Sequence, residues 1–494
     1  MEFTKILISV LLFLIIVRLL NNRSKQSRIR QLGDLAYIVP SRFPLGLDLA
    51  FKASLYMCKH DFVSWTSRLL ENNGRTFEMT MLDTRLVFTD HPENIKAIMS
   101  TQFAQFGKGE NIHKAFENVL GDSIFSTNGK RWLENKNLLR PYLAKLRPTD
   151  DSAIEHHVQM LLQHIPTDGR SVQIYDLIER YQLDVFTDIF LGKSANSLNE
   201  AHQPFRNSFD RLLRLNSYRL LLGAVGLSVP DRWLAPGSLR QLNAYFDSVI
   251  SEARTRFCDR TSTRPEQEYT MMDNMVAQGL SNREIKDQLT AVLLAGRGNT
   301  AVLLAWCIYE LSQNPHVVER LKAEIETILG SSLPTQALLQ DMPYLKNTIR
   351  ETIRLHHPLG INVREANLGT SLPVGGGLNG EQPVGLLAGT TVAYSISSLQ
   401  RRPDLVGPDH DQFRPERWET WTPDIWHYIP FNHGQRICLG RNFGQFGMGY
   451  TLVRLLQQFD KLEDANPKFS KLKIKLEFNT KMASPVFCRF YKKN

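Results

Sequence analysis

Apolar residues recur at three- and four-residue steps through most of the chain from about residue 90 to residue 360, the spacing that lines one face of a helix. The longest such run starts at about Asn282, a residue type that caps helices, and reaches Gln313. Earlier, Arg75-Thr-Phe-Glu-Met-Thr-Met81 and Arg85-Leu-Val-Phe-Thr89 alternate like two strands of a ribbon, with a turn near Asp83. Between residues 361 and 400 the pattern changes: Gly375, Gly376, Gly377, Gly380, Gly385 and Gly389 punctuate short β-rich pieces. A last helix is expected from Leu439 to Leu456, and a terminal hairpin within 471–492. The pattern therefore predicts a mainly α chain with a smaller β-rich portion.

The first thirty residues read differently. Ile6 to Val17 is almost wholly apolar, and Leu19 and Leu20 continue the run after Arg18. A spanning helix needs about 20 apolar residues, a length approached when Lys5 and Arg18 stretch toward the interfaces. No small-residue cleavage site comes after it, which argues against a removed signal peptide. Arg23, Lys25, Arg28 and Arg30 flank the C-terminal side, so the positive-inside rule places the rest of the chain in the cytosol. The expectation is a single-pass anchor with its basic flank over residues 1–30. One large catalytic domain spans 31–494, joined through a link stiffened by Pro40 and Pro44.

With 42% hydrophobic and 22% charged residues among 494, the chain can bury a substantial core and is not disordered. Its net charge of +9 gathers at the start, where Lys5, Arg18, Arg23, Lys25, Arg28 and Arg30 face only Glu2. The mildly basic remainder carries no basic stripe interleaved with aromatics, which argues against a nucleic-acid partner. The five cysteines, Cys58, Cys258, Cys307, Cys438 and Cys488, are odd in number and scattered, which suits a reducing compartment rather than a disulfide framework.

Candidate chemistry concentrates in Phe431-Asn-His-Gly-Gln-Arg-Ile-Cys-Leu-Gly440. A lone cysteine is usually a small buried hydrophobe, but here the residues around it each suit an iron-bound thiolate. Phe431 can wall the sulfur from water, and Gly434 permits a tight bend. Arg436 offers a fork of donors to a carboxylate. Gly440 lets backbone approach a flat macrocycle. Cys438 itself is expected at a helix N-terminus, where the dipole and free N–H groups favour thiolate.

This segment resembles the cysteine-ligand loop of the cytochrome P450 family, the heme-thiolate monooxygenases. Trp132, Glu351-Thr-Ile-Arg354 and Phe413-Arg-Pro-Glu-Arg-Trp418 appear in the family's order, and the resemblance covers nearly all of the chain after the first thirty residues. It implies the cytochrome P450 fold and a heme b whose iron is ligated by the Cys438 thiolate. It also implies O2 and a lipophilic small molecule as substrates, NADPH–cytochrome P450 reductase as partner, and a place on the cytosolic side of the endoplasmic reticulum membrane. Cys-x-x-Cys-His is absent, so the heme would be held without covalent attachment. Trp132 and Lys136, four residues apart on one helix face, match a propionate site where the family usually has arginine. Lysine keeps the charge but loses the bidentate geometry. Arg364 and Arg436 match the other propionate arginines. Glu351, Arg354 and Arg417 resemble the family's buried structural lock, whose charges must be paired to be tolerated.

The chain departs from the family at Ala295-Gly-Arg-Gly-Asn-Thr300. Gly298 stands where the family has an acid and Asn299 where it has the catalytic threonine, with Thr300 next in line. The family uses that acid–alcohol pair to relay protons during dioxygen activation. Three routes stay open: a relay through ordered water and Asn299, completion by a hydroxyl of the substrate, or an isomerisation or dehydration that needs no dioxygen cleavage. Two helix glycines, Gly296 and Gly298, predict a kink with room for water. Gln400 replaces a frequent histidine, which implies a weakened polar contact near the heme edge.

Pieces such as Phe43-Pro-Leu-Gly-Leu-Asp48 and Leu372-Pro-Val-Gly-Gly-Gly377 resemble the fungal microsomal branch that hydroxylates alkanes and fatty acids. Branches like it also tailor polyketides and terpenoids, and the altered oxygen-activation segment favours such a pathway enzyme. A heme-binding protein without turnover is the remaining alternative.

Overall fold

The computed structural model describes residues 20–147, 149–200, 202–258, 269–467 and 472–492. Residues 20–30 are helical, whereas the apolar run Ile6 to Val17, and with it the expected anchor, lies outside the described residues. Two compact units make up the chain. The smaller draws on the chain up to Ala53, on Ser64–Gly109 and on Asn362–Ser395; the larger draws on Ser54–Val63, Glu110–Ile361 and residues from Ile396 onward.

The smaller unit is built on β1 (Tyr37–Ile38), β2 (Thr76–Met81), β3 (Thr84–Thr89), β4 (Phe106–Gly107), β5 (Ile361–Ala366) and β8 (Thr391–Ser395), with β6 (Thr370–Gly376) and β7 (Gln382–Leu386) pairing apart. The six-stranded sheet runs β1-β2-β3-β8-β5-β4. β2 and β3 are the expected ribbon, antiparallel from Thr76↔Thr89 to Met81↔Thr84. Their two-residue turn places both Leu82 (φ 49°) and Asp83 (φ 65°) in the left-handed region, as a twist-matched hairpin turn requires. Phe77 and Phe88 stack across the ribbon with centroids 5.0 Å apart.

The larger unit holds the principal helices: α1 (Gly129–Leu143), α2 (Ile174–Leu191), α3 (Pro204–Leu221), α4 (Asn282–Gln313), α5 (Pro343–Leu355) and α6 (Arg441–Gln458). α4 ends where the periodicity ends it, but its cap is Ser281, not Asn282. Ser281 and Glu284 form a reciprocal capping box that satisfies two N-terminal N–H groups. α4 is long and apolar enough to cross a membrane, yet 78% of its most apolar window is buried in the unit, as befits a core helix. It is helical throughout, Gly296 and Gly298 included. A Cβ at Gly296 would collide with the ring of Phe186 on α2, and that close approach is what the glycine permits.

The expected terminal hairpin is also different in detail. β9 (Ile474–Leu476) and β10 (Thr480–Met482) form a short hairpin. The last strand, Phe487–Lys492, instead pairs with Phe459–Asp464 and with Asp168–Gln173.

Candidate functional site

Between Ile429 and α6 the chain folds into a closed loop. The Cys438 amide donates to the Phe431 carbonyl at 2.9 Å. Asn432 (φ 57°) and Gly434 (φ 65°) turn through the left-handed region, and Gly434–Arg436 forms one 3-10 turn. α6 begins at Arg441 with Gly440 as its N-cap, two residues later than the periodicity indicated. Cys438 therefore stands just ahead of the helix N-terminus.

Its side chain is accessible to solvent while dense protein surrounds it, the combination found in a recess. Burial raises the thiol pKa; the Gly440 backbone N–H and the Arg441 charge oppose that rise. Cys307 and Cys488, by contrast, are buried and held up at about 12, as inert core thiols. Among the described residues no group of three or more His, Cys, Asp or Glu could hold a metal ion.

Open space runs beside this thiol. A Cβ built at Gly440, Gly444 or Gly447 would meet nothing within 4 Å, although Gly447 is buried. These positions lie along one face at the start of α6, so that face opens onto unfilled space. Gly440 stood out in the sequence and the other two did not, although spacings of four and three were a readable signal.

Trp132 on α1 is buried, with the Arg436 guanidinium 4.5 Å and the Lys136 amine 5.1 Å from its ring centroid. Trp132 and Lys136 thus share a face, as expected. The Lys136 amine donates to the Gln435 carbonyl at 2.9 Å. Arg436 donates to the Thr127 carbonyl at 2.9 Å and to Asn128 Oδ1 at 3.0 Å. Desolvation, with repulsion from Arg140 and Arg436 next in size, lowers the Lys136 pKa. Arg364 belongs to the smaller unit, where it donates to the Val363 carbonyl at 2.7 Å and lies 5.6 Å from the Tyr394 ring centroid.

Glu351, Arg354 and Arg417 come together in full burial. Arg354 grips both Glu351 oxygens, at 2.8 and 2.9 Å, and Arg417 Nε approaches at 3.3 Å. The Arg414 amide and the Trp418 indole complete the carboxylate's partners, at 3.0 and 3.1 Å. Each remaining guanidinium arm finds an acceptor, including the His410 carbonyl for Arg354 and Asp409 for Arg417.

Gln400 corrects an expectation. Rather than weakening a contact, its buried amide accepts from the Ile429 amide at 2.8 Å and donates to the Ile353 carbonyl at 3.3 Å. It joins the end of α5 to the cysteine loop. His357, unmarked by any motif in the sequence, does the same: its Nδ1 accepts from the Leu359 amide at 3.0 Å, so its Nε2–H donates to the Pro430 carbonyl at 3.2 Å.

Phe186 links α4 to α6, since its ring lies against Gly296 and 5.4 Å from the ring of Phe443. Next along α4, Arg297 is buried and pairs with Asp210 on α3 at 2.6 Å. Burial works to raise the Asp210 pKa, but Arg297, Lys481 and Arg206 outweigh it and hold the carboxyl below its ordinary range. Asn299 Oδ1 accepts from Asn479 Nδ2, in the β9–β10 turn, at 2.9 Å. Thr300 is buried on the same helix. Asn479 was also missed in the sequence, where it reads only as a turn-former.

The cytochrome P450 family model matches residues 44–481 of this chain. The chain is similar to the cytochrome P450 monooxygenase pvhE of Talaromyces variabilis, at 33% identity over 93% of this chain and 89% of that protein. It is also similar to the cytochrome P450 monooxygenase alt2 of Alternaria solani, at 32% identity over 93% of both chains. A third relative is cytochrome P450 52A13 of Debaryomyces hansenii, at 34% identity over 78% of both chains.

Proposed function

This chain belongs to the cytochrome P450 family, and from that premise we propose that Cys438 supplies the thiolate that holds its heme. Membership makes it an oxidoreductase, a monooxygenase with heme b ligated axially by a cysteine. The observation that carries the assignment to Cys438 is its recess beside the glycine-lined slot of Gly440, Gly444 and Gly447, which fits a flat macrocycle. Phe431 walls the sulfur, and Gly434 makes the bend that returns the chain to it. Trp132, Lys136 and Arg436 take the propionates, and the resemblance alone assigns Arg364 the same task. Glu351, Arg354 and Arg417 hold the loop in shape, and residues 31–494 act as one catalytic domain.

When bound, the heme activates O2 so that one oxygen atom enters the substrate. The chain's contribution on that side is Asn299, with Thr300 behind it. An amide does not titrate near neutrality, so Asn299 orients ordered water and the proton travels along that water. The substrate is lipophilic, and the reaction tailors a polyketide or terpenoid. The loss of the acid at Gly298 supports this reading, because such a site suits one adapted substrate. A second reading, hydroxylation of fatty acids or alkanes, rests on the resemblance of the segments at 43–48 and 372–377. The segment 1–30 anchors the enzyme in the endoplasmic reticulum membrane, and NADPH–cytochrome P450 reductase supplies the electrons.

The test starts from the carbon-monoxide difference spectrum of the reduced protein. The thiolate-ligated band should appear in the parent and vanish in Cys438→Ser; its absence from the parent, or survival in the variant, overturns the assignment. Reductase and NADPH with dodecanoic acid, in parallel with a polyketide and a terpenoid panel, then separate the two substrate readings.

A further inference from the structure

We propose that Asn479 is a positioning residue on the dioxygen side of the pocket. Its amide fills the place left empty by Gly298 and fixes which way the Asn299 amide faces. The proposal rests on the heme-thiolate reading above.

Gly298 shows the substitution in space. Beyond its own stretch of helix, the one atom among the described residues within 4 Å of a Cβ built there is Asn479 Nδ2, at 3.3 Å. An acidic side chain growing from position 298 toward the hairpin would therefore enter the volume that the Asn479 amide holds. The polar group is present, but it arrives from a hairpin near the C-terminus instead of from the helix.

The second effect concerns orientation. A terminal amide torsion is broad and roughly two-fold, so a lone asparagine on a helix can interchange its donor and acceptor ends. Asn479 Nδ2 donates to Asn299 Oδ1 at 2.9 Å. That bond turns the Asn299 oxygen toward the hairpin and leaves its NH2 to donate elsewhere. Asn479 is 4% exposed, so water competes little for the bond.

The hairpin tip is held firmly enough to impose this. The Thr480 amide donates to the Pro358 carbonyl at 2.8 Å, and its hydroxyl to the His357 carbonyl at 2.7 Å. Phe478 packs edge-on against Phe116, with centroids 5.3 Å apart. Lys481 lies 3.8 Å from Asp210, which also pairs with Arg297. Both residues flanking Gly298 are thus tied, Arg297 through α3 and Asn299 through the hairpin.

The test reads the C–O stretching band of the reduced holoenzyme's carbon-monoxide complex, which reports hydrogen-bond donors beside the probe and needs no substrate. In Asn479→Ala the band should broaden and move toward its position in Asn299→Ala. The double variant should match Asn299→Ala alone. Asn479→Asp, equal in size but lacking the NH2, should move the band the same way, and it gives the answer if the alanine variant loses heme. An unmoved band in these variants, or an equal further shift when Asn299 is already alanine, overturns the proposal. Failure of the heme-thiolate reading looks different: the parent then shows no thiolate-ligated band at all.

Discussion

Arg417 Nε lies 3.3 Å from the Glu351 carboxylate, 66 residues away in sequence, and both side chains are buried. A buried charge that loses its partner typically costs about 3–5 kcal/mol. Glu351 serves two guanidiniums, an indole and a backbone amide at once. Glu351→Gln is therefore expected to leave both arginines under-compensated and to release the segment leading into the cysteine loop. Expression should yield mostly heme-free protein, read as the heme-to-protein absorbance ratio. A variant with normal heme content and unchanged melting temperature would refute the lock.

Acid should loosen the same loop through His357. Burial lowers its pKa to about 4, against weaker opposing contributions from backbone acceptors at Pro430 and Ile429. The folded state thus keeps this imidazole neutral while the unfolded chain, with an ordinary value near 6.5, takes up a proton. Between pH 6.5 and about 4 the unfolded state binds more protons, so stability falls as pH falls. His356 shifts in the same direction, with burial again the main cause. From pH 6.5 to 5 the loss at His357 is about 2 kcal/mol. Melting temperatures at pH 7 and pH 5 should differ less in His357→Gln than in the parent; equal slopes would remove His357 from the acid response.

Local patterns reported the fold where local forces decide it. The β2–β3 ribbon was legible because its alternation and turn lie within fifteen residues. α4 was legible because one apolar period runs its whole length, and even its cap was available as the Ser281-x-x-Glu284 spacing. Asp168–Gln173 was not, since its residues show little alternation and it is a strand only because Phe487–Lys492 pairs with it. The site divides the same way. Residues grouped around Cys438 and Glu351 were found because they recur in fixed order. Asn479 was invisible because its partner Asn299 lies 180 residues earlier.

Gly296 carries a packing role that the sequence did not show. A glycine in a helix suggests weakness, yet here it makes room for Phe186. Gly296→Ala adds helix propensity of about 1 kcal/mol, but it forces the Phe186 ring to move within a packed core, at a cost of about 1–3 kcal/mol. Net destabilisation is expected, partly relieved in Gly296→Ala combined with Phe186→Leu. If the single variant melts higher than the parent, α2 does not pack against α4 as closely as the structure has it.

Lys136 gives the sharpest separation between holding a fold and holding a cofactor. Among the described residues its amine meets the Gln435 carbonyl and the Trp132 ring, and the side chain is half-buried, so its removal should disturb folding little. A charged hydrogen bond to a propionate, by contrast, is worth about 1.5–3 kcal/mol, and each 1.4 kcal/mol is about tenfold in an equilibrium constant. Lys136→Met is therefore expected to lose heme to excess apomyoglobin roughly tenfold faster, with its melting temperature close to the parent's. Lys136→Arg should retain heme at least as well as the parent, because the guanidinium fork restores a bidentate grip. Unchanged heme loss in the methionine variant would confine Lys136 to the Gln435 contact and leave the propionates to the arginines.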